Sequence, residues 1–347
     1  MKTLISSLRV SFAVLLMIVT VSSLSAAQQY TVTDLGTLPG EQTSDAFAIS
    51  SNGFVAGTAE APPGGFNHAF FWSASNGMVD LGLLNANDFE SFGYGVNDSG
   101  SVVGQSGISG FLWTETGGMV DLGTLGSTEG GTIAYGINNL GQVIGGSTLA
   151  DNVTEHAFLW SATNGMEDLG TLGGNDSLAL AINDSGQVAG FSYLSDNKTF
   201  HAFIWTQENG MVDLGSLGGT QSVGLAENSL GMVTGYTTTT SGAYLSFVWD
   251  ALHGMKSLGS TGSASTTTTG INDSSQIVGY WTVGPHQTAL LWTRRMGFQN
   301  LNGFLSGKPS IVNAFAINHS GQIVGLGSNR HAILLTPIKQ PSQRSKP

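Results

Sequence analysis

Apolar residues in this chain come in short runs, and polar, turn-forming residues interrupt them at a regular beat. Trp72, Trp113, Trp160, Trp205, Trp249 and Trp292 stand 41 to 47 residues apart, each closing a run such as His156-Ala157-Phe158-Leu159-Trp160. Six residues after each Trp, a Met or Phe opens a second run, as in Met211-Val212-Asp213-Leu214-Gly215. A third phrase precedes both, as in Ala181-Ile182-Asn183-Asp184-Ser185-Gly186-Gln187-Val188-Ala189-Gly190. Its Asn recurs as Asn97, Asn138, Asn183, Asn228, Asn272 and Asn318, with Ser50 in the first copy, which makes seven copies of one unit.

Each unit contains four apolar runs, called a, b, c and d, whose length and β-branched or aromatic content suit strands. Asn-Asp-Ser-Gly between a and b, and a Gly-containing turn between c and d, supply hairpin chemistry. Four antiparallel strands in ~45 residues match one blade of a β-propeller. The seventh copy stops after c, whereas Thr31-Val32-Thr33-Asp34-Leu35-Gly36 is a d phrase without its own a, b and c. The pattern predicts an all-β, seven-bladed β-propeller of four-stranded blades over residues 28–337. The N-terminal strand is expected to close it by completing the last blade.

From the Asn of a to the Gly expected to end b is always seven residues, and from Trp to the Met position always six. The b–c and d–a connections vary in length. Insertions therefore gather on one face, and variable loops on a rigid scaffold are where binding usually resides.

The phrases His68-Ala69-Phe70, His156-Ala157-Phe158 and His201-Ala202-Phe203, with Asp168-Leu169-Gly170-Thr171-Leu172-Gly173-Gly174, resemble the HAF-type extracellular repeat of exported bacterial proteins. The resemblance runs from about Tyr30 to Pro337. It implies export and a repeat architecture, and brings no activity or catalytic residues. Copies five to seven are degenerate, and copy two has Ser109 at the His position.

Composition narrows the function. Glycine numbers 50 of 347 residues, cysteine is absent, charged residues make up 10%, and the net charge is -12. Without cysteine there are no disulfide staples, thiolate metal sites or cysteine nucleophiles. An acidic chain lacks the basic footprint a nucleic-acid partner needs. Between Gln28 and Asn197 there is no Lys or Arg against 18 acidic residues, so one arc of the ring is purely acidic. Lys2 and Arg9 before the apolar run Val10–Val21, then Ser25-Ala26-Ala27, read as a signal peptide over 1–27. The mature chain is expected to be secreted or periplasmic, monomeric and without a transmembrane segment. Residues 338–347 read as a disordered basic tail.

Candidate chemistry is sparse. Equivalent residues on different blades lie far apart, so the recurring His reads as a structural partner of the Asp in d rather than a metal ligand. The pairs are His68 with Asp80, His156 with Asp168, His201 with Asp213, and His331 with Asp34. No metal or cofactor is expected. Gly170–Gly174 lacks the Lys of a phosphate loop, and no nucleophile elbow precedes a helix. Tyr193, Tyr236, Tyr280 and Trp281 follow the Gly of b and are placed on the variable b–c loops. There they suit stacking on a glycan or an extended peptide of an extracellular partner. A non-enzymatic binding or scaffold role is the first reading. The alternative is a carbohydrate-active enzyme using Asp88, Glu90, Glu129 or Asp176 of the d–a loops.

Overall fold

The computed structural model describes residues 28–61, 65–262 and 265–339. Residues 1–27, read from the sequence as a signal peptide, and residues 340–347 of the expected tail lie outside them.

Copies one to six each form four antiparallel strands in the order a-b-c-d. Copy three, for example, runs Thr132–Ile137, Val143–Thr148, Glu155–Ser161 and Gly165–Asp168. Copies four and five are also joined by one parallel bridge, Phe200 to Gln221. In copy seven, c (Ala332–Pro337) pairs antiparallel with Tyr30–Asp34, from Tyr30 opposite Pro337 to Asp34 opposite Ile333. A short strand that the sequence pattern does not announce, Leu305–Ser306, lies parallel to Tyr30–Thr31. Ile338 donates its N–H to the Gln29 carbonyl oxygen at 2.7 Å, so the expected tail is paired at its first residue.

The result is an all-β, propeller-like fold. Each a strand contacts the a strand of the next copy, and Ile311–Ile317 of copy seven contacts Thr43–Ile49 of copy one. Cores lie between consecutive sheets rather than within one. Ile144, Ala157 and Leu159 of copy three pack with Ala179, Val188, Phe203 and Trp205 of copy four. Leu35, Val324 and Leu334 pack in the same way with Val55 and Phe70 of copy one. Phe70, Phe111, Phe158, Phe203 and Phe247, one in the c strand of each of copies one to five, are fully buried, each worth ~1.5–3 kcal/mol in transfer free energy. Strand c is apolar on consecutive residues because a core covers each of its faces.

The Gly seven residues after the strand-a Asn does not end b, which continues past it as Val188–Leu194 does past Gly190. Strand a is bulged between Ala179 and Ala181, and nearby its backbone crowds b. A Cβ on Gly190 would fall 1.9 Å from the Leu178 carbonyl oxygen, and the equivalent Gly of every other copy is as tight. Close backbone approach, not turn geometry, fixes this position.

A Ser or Thr six residues before the Asn position, unremarked in the sequence pattern, clasps consecutive copies. Ser177 Oγ accepts the Ala157 N–H at 2.9 Å and donates to the Gly170 carbonyl oxygen at 2.6 Å. Ser222 repeats the clasp with Ala202 and Gly215. Ser91 does so with Ala69 and Gly82, and Ser44 with Ala332 and Gly36. The Asp-Leu-Gly phrase is thereby explained. Asp168 Oδ1 accepts the Gly170 N–H, Gly170 takes a positive φ of 73°, and Leu169 is buried.

Candidate functional site

The four His–Asp pairs read from the sequence lie within hydrogen-bond distance. His Nδ1 stands 3.0 Å from Asp80, 2.8 Å from Asp168, 3.0 Å from Asp213 and 3.0 Å from Asp34. Phe158 is opposite Asp168 in the c–d ladder, which puts His156 on the diagonal. Each Asp also accepts the N–H of the Gly two residues on, and so does Asp121, which has no His partner. Turn closure therefore accounts for the Asp in copy two.

Turn residues at the ends of the a strands of all seven copies line one cavity of about 360 Å³, the axial cavity of a closed ring in the sequence reading. The Asn of strand a is buried beside it in six copies. Asn183 Oδ1 accepts the N–H groups of Ser185 and Gln187, and its Nδ2 donates to the Asn228 carbonyl oxygen of the next copy at 3.2 Å. The same donation runs from Asn97 to Asn138 and from Asn138 to Asn183. It continues from Asn228 to Asn272, from Asn272 to Asn318, and from Asn318 to the Ser50 carbonyl oxygen at 2.9 Å. Ser50 carries no amide, and Asn52 Nδ2 reaches Asp98 O instead. The sequence pattern assigns these Asn residues to their own turns only; their inter-copy bond is a tertiary fact. Within the a strands, Phe47 meets Tyr94 and Phe315, and Tyr94 meets Tyr135, at ring-centroid distances of 5.3–5.8 Å. Burial, with help from Tyr135 and Glu90, pushes the Tyr94 hydroxyl up to about 12.

The side bearing the b–c and d–a loops holds most of the other residues singled out from the sequence. Tyr193, Tyr236, Tyr280 and Trp281 sit within Val188–Leu194, Val233–Thr239 and Ile277–Val283, so they are strand residues rather than loop residues. The strands outlast the Gly that was expected to end them. Tyr193 packs on Phe191 and Phe200, and Tyr236 on Tyr244, with ring centroids 5.4–6.4 Å apart. Trp281 lines a cavity of about 460 Å³ with Leu258, Ser260, Thr261, Val283 and Phe298. Two exposed rings escape the sequence reading: Phe66 and Phe89, 5.8 Å apart, belong to different loops that meet only in the fold.

Asp88 stays in its loop, where it accepts Ser106 Oγ at 2.7 Å and the Asn85 N–H, whereas Asp176, expected in a d–a loop, lies within the strand Gly173–Ile182 and accepts the Glu155 N–H at 3.1 Å. Glu129 and Glu90 lie in separate loops, with Glu90 bridged through its backbone to Asn67. A carboxyl the pattern misses is Asp45, pushed up to about 6 by burial and by Glu60, with Arg330 opposing. Its Oδ1 is buried without a partner. The folded protein holds this proton to about pH 6, whereas the unfolded chain releases it near pH 4. Stability is lost as pH rises through that window. Asp45→Asn is expected to raise the melting temperature at pH 7 and to leave it nearly unchanged at pH 4, as thermal melts at both pH values will show.

Among the described residues no helix is long and apolar enough to cross a membrane. The sequence matches no protein-family profile. It matches no curated protein either. Solved structures resemble it in fold alone. The extracellular domain of BT4673 from B. thetaiotaomicron is 10% identical, with a TM-score of 0.56 over 90% of this chain and 40% of that one. This chain therefore spans about two fifths of that domain's length. The β-propeller domain of the Trilobed protease from Pyrococcus furiosus is 9% identical, with a TM-score of 0.54 over 88% of this chain and 99% of that one. An oligogalacturonate lyase in complex with manganese is 10% identical, with a TM-score of 0.57 over 89% and 93% of the two chains.

Proposed function

We propose that the chain is an exported seven-bladed β-propeller, closed by Tyr30–Asp34, that binds or scaffolds rather than catalyses and takes a glycan or an extended peptide. Closure is supported by the pairing of Tyr30–Asp34 with Ala332–Pro337 and by the Asn318–Ser50 bond. Export is supported by the HAF-type resemblance and the N-terminal leader pattern. The His–Asp pairs are ties between c and d in this reading, not ligand sites.

The observation that carries the binding role is the Trp281 cavity. Trp281 is the one Trp outside the repeat position, and it opens on a space lined by apolar side chains and the hydroxyl residues Ser260 and Thr261. An aromatic face beside hydroxyls suits a sugar ring, which stacks its C–H face and hydrogen-bonds its rim. On a glycan array and an extended-peptide panel, Trp281→Ala is expected to lower the affinity of any ligand found by about tenfold or more. Unchanged binding by that variant would remove the site.

A second reading, glycoside cleavage, is favoured by one observation. Asp45, with its pKa near 6, stands beside Glu60, as a general acid would beside a carboxylate. Turnover of an oligosaccharide that disappears in Asp45→Asn would establish it over the first.

A further inference from the structure

One carboxyl group in the axial cavity is used by nothing in the fold. At the last position of strand a, six copies place Ile49, Val96, Ile137, Ile182, Ile271 or Ile317, and copy five places Glu227. Both Glu227 carboxylate oxygens are closed to solvent and lack a hydrogen-bond partner, so a ligand in the cavity meets them when the side chain turns toward it. The Asn183 N–H near it is already given to the Gln187 carbonyl oxygen at 3.1 Å, so it offsets burial only in part. Burial pushes the Glu227 pKa well above the ordinary carboxylate range. An unpaired carboxyl here costs stability that the aliphatic residue of the other six copies does not.

The rim of the same cavity is a set of fixed negative charges. Asp98 accepts the Asn52 N–H and Asn139 Nδ2, and Asp184 accepts the Asn139 N–H. Asp273 accepts the Ser229 N–H, and His319 Nδ1 lies 3.0 Å from its other oxygen. No Lys or Arg lines the cavity. Among the described residues no three His, Cys, Asp or Glu could hold a metal ion, so the donor set does not suit one.

We propose that this cavity binds an alkylammonium group, with Glu227 as its buried counter-ion, the surrounding isoleucines receiving the stem, and Asp98, Asp184 and Asp273 steering the charge. A volume of about 360 Å³ suits a small linear ligand. Two sources share this chemistry: a free linear diamine and a lysine side chain presented by a peptide. The ammonium enters charged, the Glu227 carboxyl loses its proton to solvent, and a hydrogen-bonded ion pair remains. Affinity therefore rises with pH until the Glu227 of the empty cavity is itself ionised, by up to about tenfold per unit. The titratable groups facing Glu227 are Asp98, Asp184, Asp273 and His319 at the rim. At its own level, the flanking a strands contribute Ile182 and Ile271, and its partner strand Val233. His319→Gln separates the histidine's titration from that of Glu227.

The test is isothermal titration of the purified protein with 1,5-diaminopentane and with Nα-acetyl-lysine amide. It is run at pH 6 and pH 8, in phosphate and in Tris. Expected are tighter binding at pH 8, also in His319→Gln, and buffer-dependent heats that report proton release. Glu227→Gln should bind about tenfold more weakly or worse and lose the buffer dependence. Glu227→Ile should melt higher than the parent and not bind. Binding of the diamine alone identifies a free amine as ligand, and binding of both a presented lysine. No binding of either probe, or an undiminished, equally pH-dependent response from Glu227→Gln, overturns the proposal. The cavity lies at the a–b turns, away from the Trp281 site, so Trp281→Ala should leave this titration unchanged and the two readings stand or fall separately.

Discussion

Removing the chain through Asp34 is expected to abolish cooperative unfolding. Tyr30–Asp34 supplies the full ladder partner of Ala332–Pro337, and Tyr30 is completely buried among Ile311, Ile323, Ile333 and Leu335. Losing one such aromatic costs ~3–5 kcal/mol in cavity and transfer terms. Baring the edge of Ala332–Pro337 adds unpaired backbone groups. Together these approach the whole stability of a domain, ~5–15 kcal/mol. Tyr30→Ala is the milder version, expected to lower stability by ~3–5 kcal/mol in urea titration. Tyr30→Phe should be neutral or stabilising, because the Tyr30 hydroxyl is buried without a partner. An open array of sheets would lose little from its terminal strand. A native-like melt after the deletion would therefore refute closure.

Asn183→Ala is expected to cost ~3 kcal/mol or more, far above the typical surface substitution. The side chain accepts the Ser185 and Gln187 N–H groups in a part-buried setting and donates to the Asn228 carbonyl oxygen in a buried one. Truncation takes a partner from the Ser185 and Gln187 N–H groups, the Ser185 hydroxyl and Gln187 Oε1, and leaves the Asn228 carbonyl oxygen only the Gly231 N–H. Asn183→Asp keeps the acceptor but turns an oxygen toward the Asn228 carbonyl, so it should be no milder. The comparison is Asn209→Ala, at an exposed c–d turn where the Asn209 side chain donates only to Thr206 Oγ1 at 3.2 Å. Equal urea midpoints for Asn183→Ala and Asn209→Ala would show that the inter-copy bond carries no weight.

Much of the fold is legible in the sequence. The Trp interval located the units, the turn phrases located the strands, and Asp168 with His156 could be paired by counting along one hairpin. Each of those readings depends on residues within one copy. The misreadings share a cause. Gly190 reads as a strand end in the sequence because a bulge in the facing strand leaves no local mark. Tyr193, Tyr236, Tyr280 and Trp281 went into loops for the same reason, since the strands run on past that glycine. The Ser177 clasp was visible as a Ser or Thr six residues before the Asn position. Nothing in the repeat says that it bonds to the preceding copy, however.

By itself the sequence determined local structure: strand period, hairpin turns, the His–Asp diagonal, and the stretch without Lys or Arg over copies one to three and the start of four. Those properties follow from backbone sterics and from neighbours a fixed number of residues away. Tertiary structure alone decided what happens between copies. It turned six turn asparagines into a chain of donors, brought Phe66 onto Phe89, and set Arg330 of copy seven close enough to Asp45 of copy one to oppose its rise in pKa. It also left Glu227 without a partner in an otherwise aliphatic tier. Such environments depend on which surfaces face each other once the sheets pack, and burial changes the energetics of a polar group only after water has been excluded.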